Sequence, residues 1–573
     1  MVFDERLVMA FILENAIKYG GKARSKSVLG KILSVKPEYR NAIKDLIEYI
    51  KSKIEYVNSL SQDELLKLYE EYKDYVKTPT KAEKKSPLPP LPNAEIGKVV
   101  TRFAPNPDFV LHLGSLRPLI ISYEYAKIYE GRFIVRFEDT DPRTKKPKLE
   151  YYKLILDDIR WLGIEPDEVY YQSDRLELYY NVARELIGRG YAYVCLCPSE
   201  EFSKLSKSGV ACPHRGQSPS ENMELFDKML SGEFKEGEAV LRIKTDLSHP
   251  NPSVRDWPAL RIIDTKRYPH PRVGVKYRVW PLYNFSCAID DYYMGVTHVF
   301  RGVEHKVNEE KQRYIYKYLD WKEPTYIHHG RLAIPGGILS KSKILKGIRE
   351  GLYKSVDDPK LATVPALRRR GFRPEALKNI ILRVGISPSN AVIDFSLLAS
   401  ENRKIVDRLA NRYFGVRNPF KVYFKRVSHI DLIKIRKHPD YPERGVRRFE
   451  FRDEYISLYI DFEDYSNIIS RDPFRLIGIG NFILEEADKQ VKIRYIDNDV
   501  KKAKKEGYKF IHWVPVDHSI KCIFIYPDTT YEGYSELNIL DEKVDSVIQF
   551  ERIGYFRIED LGRNNINVVF AHD

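Results

Sequence analysis

Cysteine is scarce, with five in 573 residues. A disulfide framework is excluded at that density, and a reducing compartment fits. Long apolar runs are missing as well, so nothing reads as a membrane-spanning helix. The segment Met1 to Tyr19 carries Asp4, Glu5, Arg6 and Glu14 within its apolar stretch, the mark of an amphipathic helix rather than a signal peptide. No unit recurs with a solenoid's period. These absences leave a soluble, cytoplasmic chain, long enough for about three to five domains and a substantial core.

Positive charge and tyrosine are plentiful. Lys and Arg total 95 against 81 Asp and Glu, a net +14, and there are 40 tyrosines. The excess charge favours a polyanionic partner. Aromatic residues among basic ones suit unstacked RNA bases, although most of the tyrosines belong to the core.

Apolar spacing predicts helices over residues 1–76: Leu7, Phe11, Leu13 and Ile17, then Ile43, Leu46, Ile47 and Ile50, then Leu65, Leu68 and Tyr72. The Pro- and Lys-rich stretch 77–95 reads as a stiff linker. From residue 96 to 359 strand and helix patterns alternate, as in an α/β Rossmann-type parallel sheet. Val99–Phe103, Phe133–Phe137 and Val296–Phe300 are the expected strands; Leu149–Leu162, Leu176–Arg189 and Lys306–Leu319 are the expected helices. Residues 195–278 interrupt the alternation as an insertion, dividing the sheet domain into 96–194 and 279–359. Residues 360–415 are helical. Short strands with turns between them predict one or two β-barrels over 416–573.

Residues 102–115 read Arg-Phe-Ala-Pro-Asn-Pro-Asp-Phe-Val-Leu-His-Leu-Gly-Ser, and residues 338–343 read Ile-Leu-Ser-Lys-Ser-Lys. In the first, His112 and Gly114 fall where a strand turns into a helix. Free N–H groups and the dipole of a helix start suit phosphate, and Gly114 lets a flat ring lie against the backbone. In the second, Lys341 sits between Ser340 and Ser342, placed to neutralise charge on phosphoryl oxygens. Each segment alone is weak. Ser-Lys-Ser-Lys by itself reads as a solvated loop.

Together, in this order, they resemble the two signature motifs of class I aminoacyl-tRNA synthetases. The string Arg-Phe-Ala-Pro-x-Pro…Leu-His-x-Gly, followed by Phe137-Glu138-Asp139-Thr140-Asp141-Pro142, is similar to the glutamyl/glutaminyl branch. The resemblance implies amino-acid activation by ATP with Mg²⁺, then transfer of the aminoacyl group to a tRNA 3′ end. It assigns His112 and Lys341 to catalysis, and Ala104, Asn106, His112, Gly114, Ser115, Ser340, Lys341 and Ser342 to ATP. It makes 195–278 an acceptor-binding domain, 360–415 a stem-contact region and 416–573 the anticodon-binding barrels of the archaeal/eukaryotic type. The role of 1–76 stays open.

The amino-acid pocket is also legible. Arg102 at a strand end can grip a carboxylate with both arms of its guanidinium, and Glu138 can take an ammonium. Tyr283 lies in Trp280-Pro281-Leu282-Tyr283, similar to the family's Tyr-Pro-x-Tyr. Arg301 follows eighteen residues later; an arginine there resembles glutamyl enzymes and suits a side-chain carboxylate, which implies glutamate and tRNA(Glu) as substrates. Its alternative partners are Glu304 and Asp290. For an archaeal chain the resemblance would add tRNA(Gln), charged with glutamate for later amidation; the sequence leaves that open. Departures from the family pattern are Asp108-Phe109 for Thr-Gly, Ser115 for His, Ile338 for Lys, and Cys287 where bacterial glutamyl enzymes have Asn, so recognition of the α-group at Cys287 is in question.

Cys195-Leu196-Cys197 and Cys212-Pro213-His214 bring three thiols and an imidazole within twenty residues. Such ligands suit a structural zinc, and the resemblance supports one here, against free buried thiols. For tRNA, Arg368, Arg369 and Arg370 are expected at phosphates, and Arg444, Arg447 and Arg448 at splayed anticodon bases. The alternatives are a glutaminyl enzyme, a non-catalytic tRNA-binding paralogue, and a small nucleotidyltransferase; intact His112, Gly114 and Lys341 argue against the second, and the long C-terminal barrels against the third.

Overall fold

A computed structural model describes residues 3–19, 21–72, 75, 88–335, 337, 339–470, 472–487 and 491–573. They fall into two compact units, Met1–Pro87 and Leu88–Asp573. Most of the expected linker 77–95, together with Gly336 and Ile338 before the second motif, lies outside the described residues.

In the first unit, helices Glu5–Lys18, Ser25–Val35, Ile43–Ser59 and Gln62–Tyr72 bury Val8, Ile12, Leu46, Ile50 and Leu65 together. Ile17 and Ile43, expected on the apolar stripe, are exposed.

The second unit is organised on a five-stranded sheet in the order Glu168–Tyr171, Arg132–Phe137, Val100–Phe103, His298–Gly302, Thr325–His329. Every pairing is parallel. Helices cover both faces, so the central strands are apolar without alternation: Val100–Phe103 is buried at all four positions. The chain winds outward from Val100–Phe103 in both directions. That leaves a crevice at the carboxyl ends of Val100–Phe103 and His298–Gly302, where ligands bind in open α/β sheets.

The insertion forms an antiparallel sheet of Ala192–Cys195, Val240–Ile243, Pro258–Ile262 and Val279–Pro281. It is slightly wider than residues 195–278, because its first and last strands lie partly or wholly outside them. Arg261 joins it to Asp141 at 2.9 Å, and Arg272 to Asp174 at 2.7 Å. Helices Val364–Arg369, Pro374–Val384 and Phe395–Leu409 follow. Beyond them lie two barrel-like seven-stranded sheets with separate cores around Trp513 and Phe556. Each expected strand is present within a few residues of its predicted ends.

Candidate active site

A cavity of about 680 Å³ opens at the sheet's carboxyl ends. It brings together Arg102, Ala104, Asn106, His112, Gly114, Glu138, Tyr283 and Arg301, from four separate chain segments, with Leu339 of the second motif in its wall. Ser115, Cys287, Ser340, Lys341 and Ser342 do not line it.

His112 precedes the helix Leu113–Ile128 in extended backbone. Ser115 fixes this turn: its Oγ accepts from His112 N–H at 2.9 Å and donates to the His112 carbonyl at 2.7 Å. Ser115 is therefore a cap of this helix, its hydroxyl turned to the His112 backbone. His112 Nδ1 is buried without a hydrogen-bond partner among the described residues, and burial lowers the pKa of the ring. A neutral imidazole with an unmet nitrogen is suited to a ligand group. A Cβ at Gly114 would come within 3.0 Å of that ring, so glycine keeps this wall open.

Beneath the cavity lies a buried charge network. Arg102 donates through Nε and Nη2 to the two oxygens of Asp291, at 3.1 and 3.2 Å. Arg136, fully buried, donates through Nη1 to Asp291 at 2.5 Å and through Nη2 to Glu138 at 3.3 Å. Burial alone would raise the Asp291 pKa; the two guanidinium groups outweigh it and hold it at about 2. The network corrects the reading of Arg102 as a two-armed grip on substrate. Its fork is occupied by Asp291, which leaves Nη1. Cys287 is also corrected: it lies below the cavity, where Arg136 Nη2 donates to its Sγ at 3.2 Å. Burial pushes its thiol up to about 12. Arg136 and Asp291 were missed in the sequence, although Arg136 stands two residues before Glu138.

Arg301 pairs with neither Glu304 nor Asp290. Its Nη1 donates to Gln312 Oε1 at 3.0 Å, and its guanidinium carbon lies 4.4 Å from the centroid of the Tyr326 ring. Nε and Nη2 are buried without a hydrogen-bond partner among the described residues. This is a desolvated cation on the cavity wall, paired with no carboxylate among the described residues.

Lys341 begins the helix Lys341–Arg349. Its Nζ lies 2.5 Å from Asp108 Oδ2, on the loop that leads into the His112 turn. The two motifs therefore meet beside one cavity. In the insertion, Cys195 Sγ and Cys197 Sγ lie 3.5 and 3.4 Å from Cys212 Sγ, and His214 Nδ1 lies 3.5 and 3.4 Å from Cys197 and Cys212. All four donor atoms fall within 4.8 Å of one another.

The family model described as tRNA synthetases class I (E and Q), catalytic domain, matches residues 98–407. Two models for the anti-codon binding domain of the same group match 410–500 and 510–559. A glutamate–tRNA ligase of Pyrococcus furiosus is 49% identical, and one of Pyrococcus horikoshii 48%, each aligned over 99% of both chains. The chain belongs to the class I E and Q tRNA synthetases. A solved glutamate tRNA ligase from Elizabethkingia meningosepticum, in complex with its amino acid, matches 55% of this chain and 71% of that one at 20% identity and TM-score 0.38.

Two of the arginines expected at tRNA in this synthetase are interior residues, and those expectations are corrected. Arg447 is fully buried, pairing with Glu536 at 3.0 Å and Glu551 at 2.5 Å. Arg370 is buried and donates to the carbonyls of Phe570 and Ala571 at 3.1 and 2.6 Å. Arg369 is held by both oxygens of Glu559, and Arg444 by the carbonyls of Arg408 and Leu409. Arg368 and Arg448 are exposed. Arg448 lines a second cavity, of about 690 Å³, with Phe449, Arg452, Tyr455 and His518.

Proposed function

We propose that this synthetase ligates L-glutamate to the 3′ end of tRNA(Glu), forming a glutamyl-adenylate from ATP–Mg²⁺ and releasing diphosphate, then AMP. The observation that carries the reading is Arg301, a buried cation that no carboxylate among the described residues pairs with, in the cavity that also holds His112 and Gly114. Glutamate supplies the missing charge in its side-chain carboxylate. Glutamine would turn an amide N–H toward guanidinium donors, and mispaired buried polar groups discriminate strongly. Glu138 takes the ammonium and Arg102 keeps one free nitrogen for an oxygen, with Tyr283 closing the wall. The α-carboxylate then attacks the α-phosphorus of ATP. The protein's share is positioning and charge stabilisation, from the helix start at His112 and from Lys341 once it leaves Asp108.

Cys195, Cys197, Cys212 and His214 would hold a structural zinc. With Zn–S near 2.3 Å, tetrahedral ligand edges come to about 3.8 Å, close to the separations here, and four protein donors complete the shell. Arg448 with its aromatic neighbours would meet unstacked anticodon bases, and Arg368 a tRNA phosphate. The domain assignments follow: 195–278 for the acceptor end, 360–415 for the stem and 416–573 for the anticodon. ATP–pyrophosphate exchange, measured with glutamate and with glutamine in the presence of tRNA, tests the reading; exchange supported only by glutamine contradicts it.

A further inference from the structure

Three buried guanidinium groups stand on the strands below the cavity, and they are treated differently. Arg102 and Arg136 share the carboxylate of Asp291. Among the described residues, Arg301 receives only the neutral amide oxygen of Gln312 and the face of Tyr326. Gln312 is fully buried on the helix Lys306–Leu319, behind the cavity wall rather than in it. Its own Nε2 finds no acceptor among the described residues. An amide that spends one oxygen on Arg301 and leaves its nitrogen unmet is a costly choice for a core position. Glutamate at 312 would be nearly isosteric, and would hold the guanidinium more strongly through a charge-assisted bond.

We propose that Gln312 is a specificity-determining positioning residue, whose neutrality leaves the positive charge of Arg301 available to the substrate. The amide oxygen fixes the guanidinium in place and the Tyr326 face supports it. Neither cancels its charge, and neither Glu138 nor Glu304, which line the same cavity, bonds to it, so Arg301 stays open to the side-chain carboxylate of the amino acid. A carboxylate at 312 would satisfy Arg301 permanently and repel an acidic substrate. The proposal rests on the glutamate reading above and adds a residue that never touches the substrate.

The test is Q312E and Q312L in the full-length chain, by ATP–pyrophosphate exchange with tRNA present and by thermal melting. Q312E is expected to raise the KM for glutamate about tenfold or more, to leave the KM for ATP within about twofold, and to melt higher than the parent, because a lone buried cation has gained a partner. Q312L, which holds nothing, is expected to raise the glutamate KM without the gain in melting temperature. A purely structural glutamine would be replaced silently by its isostere. Unchanged glutamate KM in Q312E, or a Q312E chain that fails to fold, overturns the proposal. A parent chain that exchanges with glutamine alone instead overturns the glutamate reading, so the two failures are distinguishable.

Discussion

Lys341 and Asp108 form an ion pair across 2.5 Å that ties the serine-flanked loop to the turn carrying His112. Both side chains are partly exposed, and such pairs contribute about 0–1 kcal/mol. A triphosphate with its several charges should take the lysine away readily. Lys341→Ala is expected to lower the turnover of ATP–pyrophosphate exchange about 100-fold. Asp108→Asn should lower the KM for ATP by no more than about fivefold. A raised KM in Asp108→Asn would mean that the pair assists ATP binding instead of competing with it.

Zinc removal should act on stability. Metal analysis of the purified chain is expected to find about one zinc per molecule. Prolonged chelation, or Cys212→Ser, should release it and lower the melting temperature by several degrees, since binding free energy of a structural site is folding free energy. Undialysed protein without zinc would leave the four donors as packed thiols and an imidazole.

A pH effect follows from His512. It is buried against Arg552, whose Nη1 donates to its Nδ1 at 3.0 Å. Burial, aided by that cation, lowers its pKa from 6.5 to about 4. The folded state keeps the ring neutral while the unfolded chain takes up a proton below about 6.5. Stability is therefore lost as pH falls from about 6.5 toward 4, by on the order of 3 kcal/mol from this residue. Urea unfolding followed by tryptophan emission, with Trp513 next in sequence, should show a stability difference between His512→Gln and the parent that moves in the variant's favour across that window. A constant difference would remove His512 as the titrating group.

What the sequence disclosed follows from distance along the chain. His112, Gly114 and Glu138 sit in short strings whose spacing encodes strand, turn and helix, so their shared crevice was readable, and Lys341 reaches its edge through Asp108. The partners of long side chains were not, because they arrive from remote strands: Asp291 stands 189 residues from Arg102, and Glu536 stands 89 from Arg447. A local signal did exist for the buried arginines. Arg447 alternates with Phe449 on the inward face of Val446–Glu450, and Arg370 lies three residues after buried Leu367. Gln312 had no such signal, since its importance lies in a charge it does not carry.

Arg447 and Arg448 are adjacent in sequence but opposite in expected effect. Arg448→Glu should raise the KM for tRNA and reduce the salt dependence of binding by about one unit of slope, with melting and glutamate exchange unchanged. Arg447→Leu leaves Glu536 buried without its partner and should cost about 3–5 kcal/mol of stability. Equal effects from the two would contradict the burial of Arg447.

The central claim is that a guanidinium without a counter-charge selects an acid over its amide. Aminoacylation of purified tRNA(Glu) with labelled glutamate or labelled glutamine, by the parent chain and by Arg301→Gln, tests it most directly. The parent is expected to charge glutamate with a kcat/KM at least about 1,000-fold above that for glutamine, and Arg301→Gln should lose most of that preference. Efficient charging with glutamine by the parent, or a preference for glutamate that survives in Arg301→Gln, would contradict the account.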